Sequence, residues 1–349
     1  MYLVVTRSFP PEVGGMQNLM WGLTRELSKN YMLKVFADYQ ENHKEFDDQV
    51  SFSIERVGGI KLFRKYRKAQ LINEFIKENK IDGVIADHWK SLELIKTNKK
   101  KICLIHSKEI NHEKRSNLNK RVLDVLNNVD IVIANSKFTK NLAHKLGVNS
   151  KNIEVINPGC NYPVQIEKES EEFAKNTFAE ASPRLITISR LDKRKSHQNI
   201  LMTIKNLLPK FPQLKYISIG DGDERKNLEK LKHELGLNDE VKFIFKSTEQ
   251  EKVALLSQSD VFVMPSVIYK KSVEGFGISF IEAASYAKGS IGGNCGGERD
   301  AINDGVTGYI CDGNELNSIY ETVIKFFEND NHLKIGQNAL KFSEQFSWK

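Results

Sequence analysis

The stretch VFVMPSVIYKKSVEGFGISFIEAASY, residues 261–286, decides how the chain is read. Val261–Met264 is a short run of strand-forming apolar residues, of the length a buried strand needs. From Ile278 to Tyr286 the apolar positions recur at helical spacing. Between them lies a polar segment closed by Glu274-Gly275-Phe276-Gly277, with two glycines bracketing a loop that opens a helix. Strand, glycine loop and helix in this order form half of a parallel βαβ unit.

The same unit recurs in both directions along the chain. Strand-length runs occur at Tyr2–Val5, Leu33–Ala37, Gly83–Ala86, Ile102–Ile105 and Asp130–Ala134, and again at Arg184–Ser189, Tyr216–Gly220, Val241–Phe245 and Ser290–Gly292. Amphipathic helical patterns lie between them at Met16–Ser28, Ala69–Asn79, Arg121–Asn127, His197–Leu208 and Lys226–Leu235. Val- and Ile-rich strands each followed by a helix predict parallel sheets covered on both faces. The alternation pauses once, after Asn157-Pro158-Gly159, where Glu167–Pro183 reads as a charged linker with little strand signal. The expected fold is α/β: two doubly wound Rossmann-like domains facing across a cleft, residues 1–163 and 164–349, with the last helix packing back on the first domain. A length of 349 residues suits two such cores. In open parallel sheets ligands bind outside the carboxyl ends of the strands, so the informative residues should follow strands.

With 40% hydrophobic and 28% charged residues the composition is that of a folded α/β protein. The net charge of +7 is unevenly spread: residues 1–160 carry 27 basic against 18 acidic side chains, leaving 25 against 27 in the remainder. The basic first half points to an anionic surface or partner. Within it, Lys61-Leu62-Phe63-Arg64-Lys65-Tyr66-Arg67-Lys68 interleaves cations with apolar residues, and Lys96 and Lys99–Lys101 add more. Either a solvated helix face or a surface for anionic lipid headgroups has this form. Aromatics are not grouped as a nucleic-acid stacking platform. Cys103, Cys160, Cys295 and Cys311 form no C-x-x-C pair, which argues against a zinc ribbon or thioredoxin motif and for free thiols in a reducing compartment. The first residues develop no signal-peptide apolar region and no stretch reaches the length of a membrane span, so a cytoplasmic protein is expected, with peripheral contact on the membrane's inner face as an option.

Several loops after strands carry candidate chemistry. Gly14 and Gly15 open the first helix, where backbone amides can approach an anion. His106 directly follows Ile102–Ile105, and His88 holds a similar place after Gly83–Ala86. Ser189-Arg190-Leu191-Asp192-Lys193-Arg194-Lys195 crowds four cations into one strand-to-helix turn, and such cations suit a pyrophosphate. Gly220-Asp221-Gly222-Asp223 reads as a structural turn rather than a metal or dinucleotide motif. The strongest cluster remains Glu274–Ala284. Amides at Phe276, Gly277 and Ile278 lie at the helix's positive end, with Glu274 before it and Glu282 in its first turns. A carboxylate on either side of an anion-binding helix start matches a nucleotide sugar: ribose diol, diphosphate, sugar hydroxyls.

Together these segments resemble retaining glycosyltransferase family 4, of GT-B architecture, over nearly the whole chain. The family's E-x7-E motif is present as Glu274 and Glu282, supported by Pro10-Pro11 with Gly14-Gly15, Asn135-Ser136, Ile156–Gly159, Ser189-Arg190-Leu191 with Lys195, and Asp304-Gly305 with Gly308. Val273–Ile278 is similar to members that use GDP-mannose, including phosphatidylinositol mannosyltransferases. The resemblance implies that Arg190 and Lys195 hold the donor diphosphate, that Gly275, Phe276, Gly277 and Ile278 line it, that Glu282 accepts from the ribose hydroxyls and Glu274 from the transferred sugar. It further implies that His106 reaches the sugar and that Gly14 and Gly15 border the acceptor or phosphate. Asp300 stands where many members carry glutamate. The implied activity is metal-independent transfer, without a cofactor, of a hexose from a nucleotide sugar, GDP-mannose favoured and UDP-sugar the other option, to a glycan or lipid-linked acceptor. No nucleic-acid partner is implied. A nucleotide-sugar epimerase or a non-catalytic nucleotide-sugar binder of the same fold are the alternative readings.

Overall fold

The computed structural model describes residues 1–114, 116–149 and 152–348. The chain divides into two compact units, Met1–Gly159 joined by Trp348, and Cys160–Ser347.

The first unit contains β1 (Tyr2–Val5), α1 (Gly15–Ser28), β2 (Leu33–Asp38), α2 (His43–Asp47), β3 (Ser53–Val57), α3 (Lys61–Glu78), β4 (Gly83–Ala86), α4 (Trp89–Leu92), β5 (Lys100–Ile105), α5 (Asn117–Leu126), β6 (Ile131–Ala134), α6 (Lys137–Leu146) and β7 (Ile153–Val155). Its seven strands are all parallel, in the order β3-β2-β1-β4-β5-β6-β7. The sheet is covered on both faces, as the apolar runs predict. Leu3, Val5, Val84, Ala86, Cys103 and Ile105 enter one buried cluster, while Val4, Val35, Ala37, Ile85 and Leu104 enter the other. This alternation along single strands is the two-residue period of a pleated sheet. The Trp348 ring lies against Gly22 and Gly159, which ties the chain's end to this unit.

The second unit contains α7 (Lys168–Phe178), β8 (Arg184–Ile188), α8 (His197–Leu207), β9 (Lys215–Ile219), α9 (Arg225–Glu234), β10 (Val241–Ile244), α10 (Glu249–Gln258), β11 (Val261–Met264), α11 (Ile278–Ala284), β12 (Gly289–Gly293), α12 (Glu298–Ala301), β13 (Gly308–Cys311), α13 (Leu316–Phe327) and α14 (Asn331–Ser343). Its six strands are parallel in the order β10-β9-β8-β11-β12-β13. Leu185, Tyr216, Val261, Val263 and Ile291 pack on one face; Ile186, Ile217, Phe262 and Met264 pack on the other. The final long helix, α14, packs against α11, α13 and β12 of its own unit.

Two features differ from the sequence reading. Glu167–Pro183 is not a linker: most of it is α7, which buries Ser170, Ala174, Thr177 and Phe178 against α10 and turns its glutamates and lysines outward. The three- and four-residue spacing of those small and apolar positions is an amphipathic stripe that the charge count conceals. The strands β3 and β7, absent from the reading, are the two edges of the first sheet. An edge strand buries less surface, and β3 accordingly carries Ser53, Glu55 and Arg56 in a run with no apolar continuity.

Candidate active site

In the second unit the candidate residues gather at the carboxyl ends of β8 and β11. Ser189–Asp192 follows β8, then a single helical turn over Lys193–Lys195 leads into α8. The backbone of this loop is clamped by the β9–α9 turn: Leu191 N donates to Asp221 O at 3.1 Å, and Glu224 N donates to Leu191 O at 3.0 Å. Gly220 has φ +135, and a Cβ there would stand 2.0 Å from the Ser189 carbonyl oxygen. Gly220-Asp221-Gly222-Asp223 is therefore a structural turn, with Asp221 Oδ1 accepting from Gly222 N at 2.8 Å. Below the loop, Ser189 Oγ lies 3.1 Å from His197 Nε2, and His197 Nδ1 lies 3.3 Å from Tyr216 Oη. Burial, with the Lys195 charge assisting, lowers His197 to about 4, so it is a neutral anchor.

Glu274 is the centre of the site. Its Oε2 accepts from Lys195 Nζ at 2.5 Å and from Arg194 Nη1 at 2.6 Å. Burial alone would raise this carboxyl, but the two adjacent cations overcome it and bring it down to about 2. Lys195 is nearly enclosed, with Met264 Sδ 3.1 Å from its ammonium. Burial draws Lys195 below its ordinary value against the pull of Glu274, while Glu274 and Asp192 raise Arg194 against its own burial. The result is a dry carboxylate holding two cations. Such a cluster keeps its geometry only while both signs are present.

Glu274 leads into the glycine loop. Gly277 caps α11 in the left-handed region at φ +89, where a Cβ would also strike the Phe280 ring at 2.4 Å, so glycine alone fits. Phe276 is buried against Phe346 and Ile278 packs into the core below. These side chains are structural, and Gly275 and Gly277 beside them are buried. Glu282 lies one turn into α11, nearly buried, and makes no ion pair among the described residues. Burial raises its carboxyl, Lys252 lowers it and Glu249 raises it further.

The structure brings together Glu274, Lys195 and Arg194, the last of which the sequence places among the crowded cations without an individual role. Arg190 is not in that cluster: its guanidinium is 74% exposed and pairs with Asp192 at 2.9 Å. The signal for Arg194 was its place beside Lys195. A helical turn puts both on the Glu274 side, whereas an extended loop would have separated them.

In the first unit His106 follows β5, its Nε2 3.0 Å from the Asp87 carbonyl oxygen and its N–H donating to the Glu109 carboxylate. Asp87 is buried and accepts from Thr6 Oγ1, Arg7 N and Ser91 Oγ at 2.7–2.9 Å. His88 is a helix cap: Nδ1 accepts from Lys90 N at 2.9 Å, and burial with the Arg7 and Lys90 charges lowers it to about 2. Gly14 stands at the start of α1 in extended conformation, and nothing lies within 4 Å of a Cβ on Gly15.

The family model for Glycosyl transferases group 1 matches residues 168–342, and that for Glycosyltransferase Family 4 matches residues 13–162. Among curated proteins the chain is similar to GDP-mannose-dependent alpha-(1-6)-phosphatidylinositol monomannoside mannosyltransferase of Mycolicibacterium smegmatis, 23% identical over 92% of this chain and 87% of that protein. It is equally similar to the GDP-mannose-dependent monoacylated alpha-(1-6)-phosphatidylinositol monomannoside mannosyltransferase of Corynebacterium glutamicum, 23% identical over 94% of this chain and 88% of that one. Among solved structures, Anabaena HepE in complex with UDP and glucose superposes with a TM-score of 0.81 at 19% identity, over 99% of this chain and 95% of that one. Two parallel-sheet units, two family models that between them span most of the chain, and a GT-B structural neighbour identify the chain as a family 4 glycosyltransferase of GT-B fold, an enzyme that transfers a sugar from a nucleotide-sugar donor.

Proposed function

We propose that the protein is a retaining, metal-independent hexosyltransferase that takes mannose from GDP-mannose and passes it to a glycan or lipid-linked acceptor. The observation that carries the reading is the buried Glu274 carboxylate shared by Lys195 and Arg194 at the mouth of the glycine loop. Without donor, the two cations share the single Glu274 carboxylate, which leaves one positive charge over. A bound diphosphate supplies a second, stronger anion for them, which frees Glu274 to accept from a sugar hydroxyl.

Charge then develops on the leaving diphosphate as the glycosidic bond breaks. Lys195 and Arg194, already held in a water-poor place, stabilise that charge at no further cost of reorganisation. Arg190, exposed beside them on a clamped loop, is free to swing onto the same group. Cationic side chains supply what a divalent ion supplies in other transferases, which is the basis for metal independence. In a retaining transfer the departing diphosphate oxygen accepts the acceptor's proton on the face where the new bond forms. Glu282, with no ion pair among the described residues, has acceptor oxygens available for the ribose diol. His106, at the carboxyl edge of the first sheet, is assigned to the transferred sugar, and Gly14 and Gly15 to the acceptor.

Mannose is favoured because both mannosyltransferases named above use GDP-mannose across nearly the full length of this chain. Those relatives act on phosphatidylinositol monomannosides, which supports a lipid acceptor here. The surface of α3 agrees. Leu62 and Phe63 are 73% and 60% exposed, Ile60 and Tyr66 lie beside them, and Lys61, Lys65 and Arg67 are interleaved. No helix among the described residues is long and apolar enough to cross a membrane, so contact with lipid is assigned to this face.

The deciding experiment is incubation of the purified protein with GDP- and UDP-sugars. Release of GDP from GDP-mannose, with the anomeric configuration preserved in the product, is expected. Release of UDP alone moves the donor assignment, and recovery of an epimer with no nucleotide release refutes transfer.

A further inference from the structure

Glu298 is the first residue of α12 and has no solvent exposure. Neither of its carboxyl oxygens is hydrogen-bonded to another of the described residues. A buried carboxylate in that condition carries a heavy desolvation cost, which the neutral acid avoids.

Its surroundings explain why it stands there. Gly297 N donates to the Glu274 carbonyl oxygen at 2.9 Å. A Cβ on Gly297 would stand 2.0 Å from the Gly275 carbonyl oxygen. One on Gly296 would stand 2.4 Å from the Glu274 carbonyl oxygen and 2.8 Å from Glu298 Oε2. The Gly296–Gly297 backbone is thus packed tightly on the Glu274–Gly275 backbone, and the Glu298 carboxyl crowds the same side of Gly296 as the Glu274 carbonyl. The charged and titratable groups that face Glu298 are Glu274, Lys195 and Arg194, with the thiols of Cys295 and Cys311. Both cations are held by Glu274, so an ionised Glu298 would have none of its own. Burial first, then the Glu274 charge, raises Glu298 to about 8, with its own backbone N–H, then Lys195 and Arg194, opposing.

We propose that Glu298 is a positioning residue that works as a neutral carboxylic acid: it supports the Gly296–Gly297 turn beneath Glu274 while leaving Lys195 and Arg194 to the donor diphosphate, and loss of its proton loosens that grip. The proposal rests on the assignment of Glu274, Lys195 and Arg194 to the donor. Ionisation places a second anion under the cradle, which repels the diphosphate and competes for the same two cations.

The test follows nucleotide binding of the full chain across about pH 6.5–9.5, and its thermal unfolding from about pH 4.5 upward, in the parent, Glu298→Gln and Glu298→Met. For the parent, GDP affinity should fall above about pH 8, approaching but not exceeding about tenfold per pH unit, the limit for one linked proton. Both variants should flatten that limb. In the ligand-free protein the folded state holds this proton more tightly than the unfolded chain does. Its contribution is therefore complete below about pH 4.5 and lost as pH rises from there through 8, so the variants should show a shallower fall in melting temperature across that window and no difference in slope above it. A Glu298→Gln or Glu298→Met protein that keeps the parent's fall in GDP affinity above pH 8 and its fall in melting temperature below pH 8 overturns the proposal. If instead Glu274→Gln and Lys195→Ala bind GDP like the parent, the donor assignment fails, and the melting arm alone reports on the Glu298 proton.

Discussion

The Lys195 ammonium lies 2.5 Å from the Glu274 carboxylate, with the two side chains only 9% and 14% exposed. Arg194 shares the same oxygen at 2.6 Å. Three charges in one dry place make the stability of the second unit and its grip on a donor the same physical problem. Removing the anion leaves two cations facing each other; removing one cation leaves a balanced pair.

Glu274→Gln should therefore be the most damaging single change in the cluster. Leaving buried charge uncompensated costs about 3–5 kcal/mol, so chemical denaturation should show a loss of that order together with loss of turnover. Lys195→Ala should cost less stability, because Arg194 remains with Glu274. A Glu274→Gln protein as stable as the parent would contradict the buried cluster.

The same pair sets an acid limb. Glu274 is near 2 when folded against an ordinary value of 4.5, so its contribution is complete above about pH 4.5 and disappears as pH falls towards 2. Denaturation midpoints of the parent should drop across this window more steeply than those of Glu274→Gln. Parallel curves would show that the carboxylate is not held in this way.

Arg190 and Arg194 should separate cleanly despite being four residues apart. Arg190 is exposed and, among the described residues, paired only with Asp192, and an exposed pair contributes about 0–1 kcal/mol. Arg190→Ala should leave the melting temperature within a degree or two of the parent, on the order expected for so small a change, while turnover falls. Arg194→Ala should lower both. Equal turnover in Arg190→Ala and the parent would remove Arg190 from the diphosphate site.

Glu282→Gln removes one charge-assisted acceptor, worth roughly 1.5–3 kcal/mol, or about 10- to 150-fold in donor affinity. Calorimetry with the nucleotide alone isolates this effect from the sugar. Unchanged affinity would sever Glu282 from the ribose.

Chelation tests the cationic mechanism. Turnover in excess EDTA should equal turnover in added magnesium, because Lys195, Arg194 and Arg190 carry the charge that a divalent ion would otherwise offset. A return of activity only on adding metal would require a different account of the leaving group.

The α3 face makes a separate prediction. Replacing Leu62 and Phe63 with serine should reduce sedimentation with phosphatidylglycerol vesicles at low salt, without changing the fold, since both side chains are exposed. Equal binding to neutral phosphatidylcholine vesicles would remove the electrostatic part of the claim.

Much of this was legible in the sequence because it depends on local order. Strand runs three to six residues long, followed by helical spacing, marked two parallel sheets, and a glycine loop and a crowd of cations after strands marked the segments that carry Glu274 and Lys195. Those features are set by backbone geometry and apolar periodicity, which short windows record. The edge strands β3 and β7 and the helix α7 were not legible: an edge needs little apolar surface, and a stripe of Ser170, Ala174, Thr177 and Phe178 is faint beneath its charges. What only the tertiary structure decided is which charges meet. Arg190, Lys193, Arg194 and Lys195 are alike in composition, yet the single helical turn at 193–195 sends two of them to Glu274 and leaves Arg190 in water. Coulombic partnership depends on distance and burial, and those are settled only when strands far apart in the chain lie side by side.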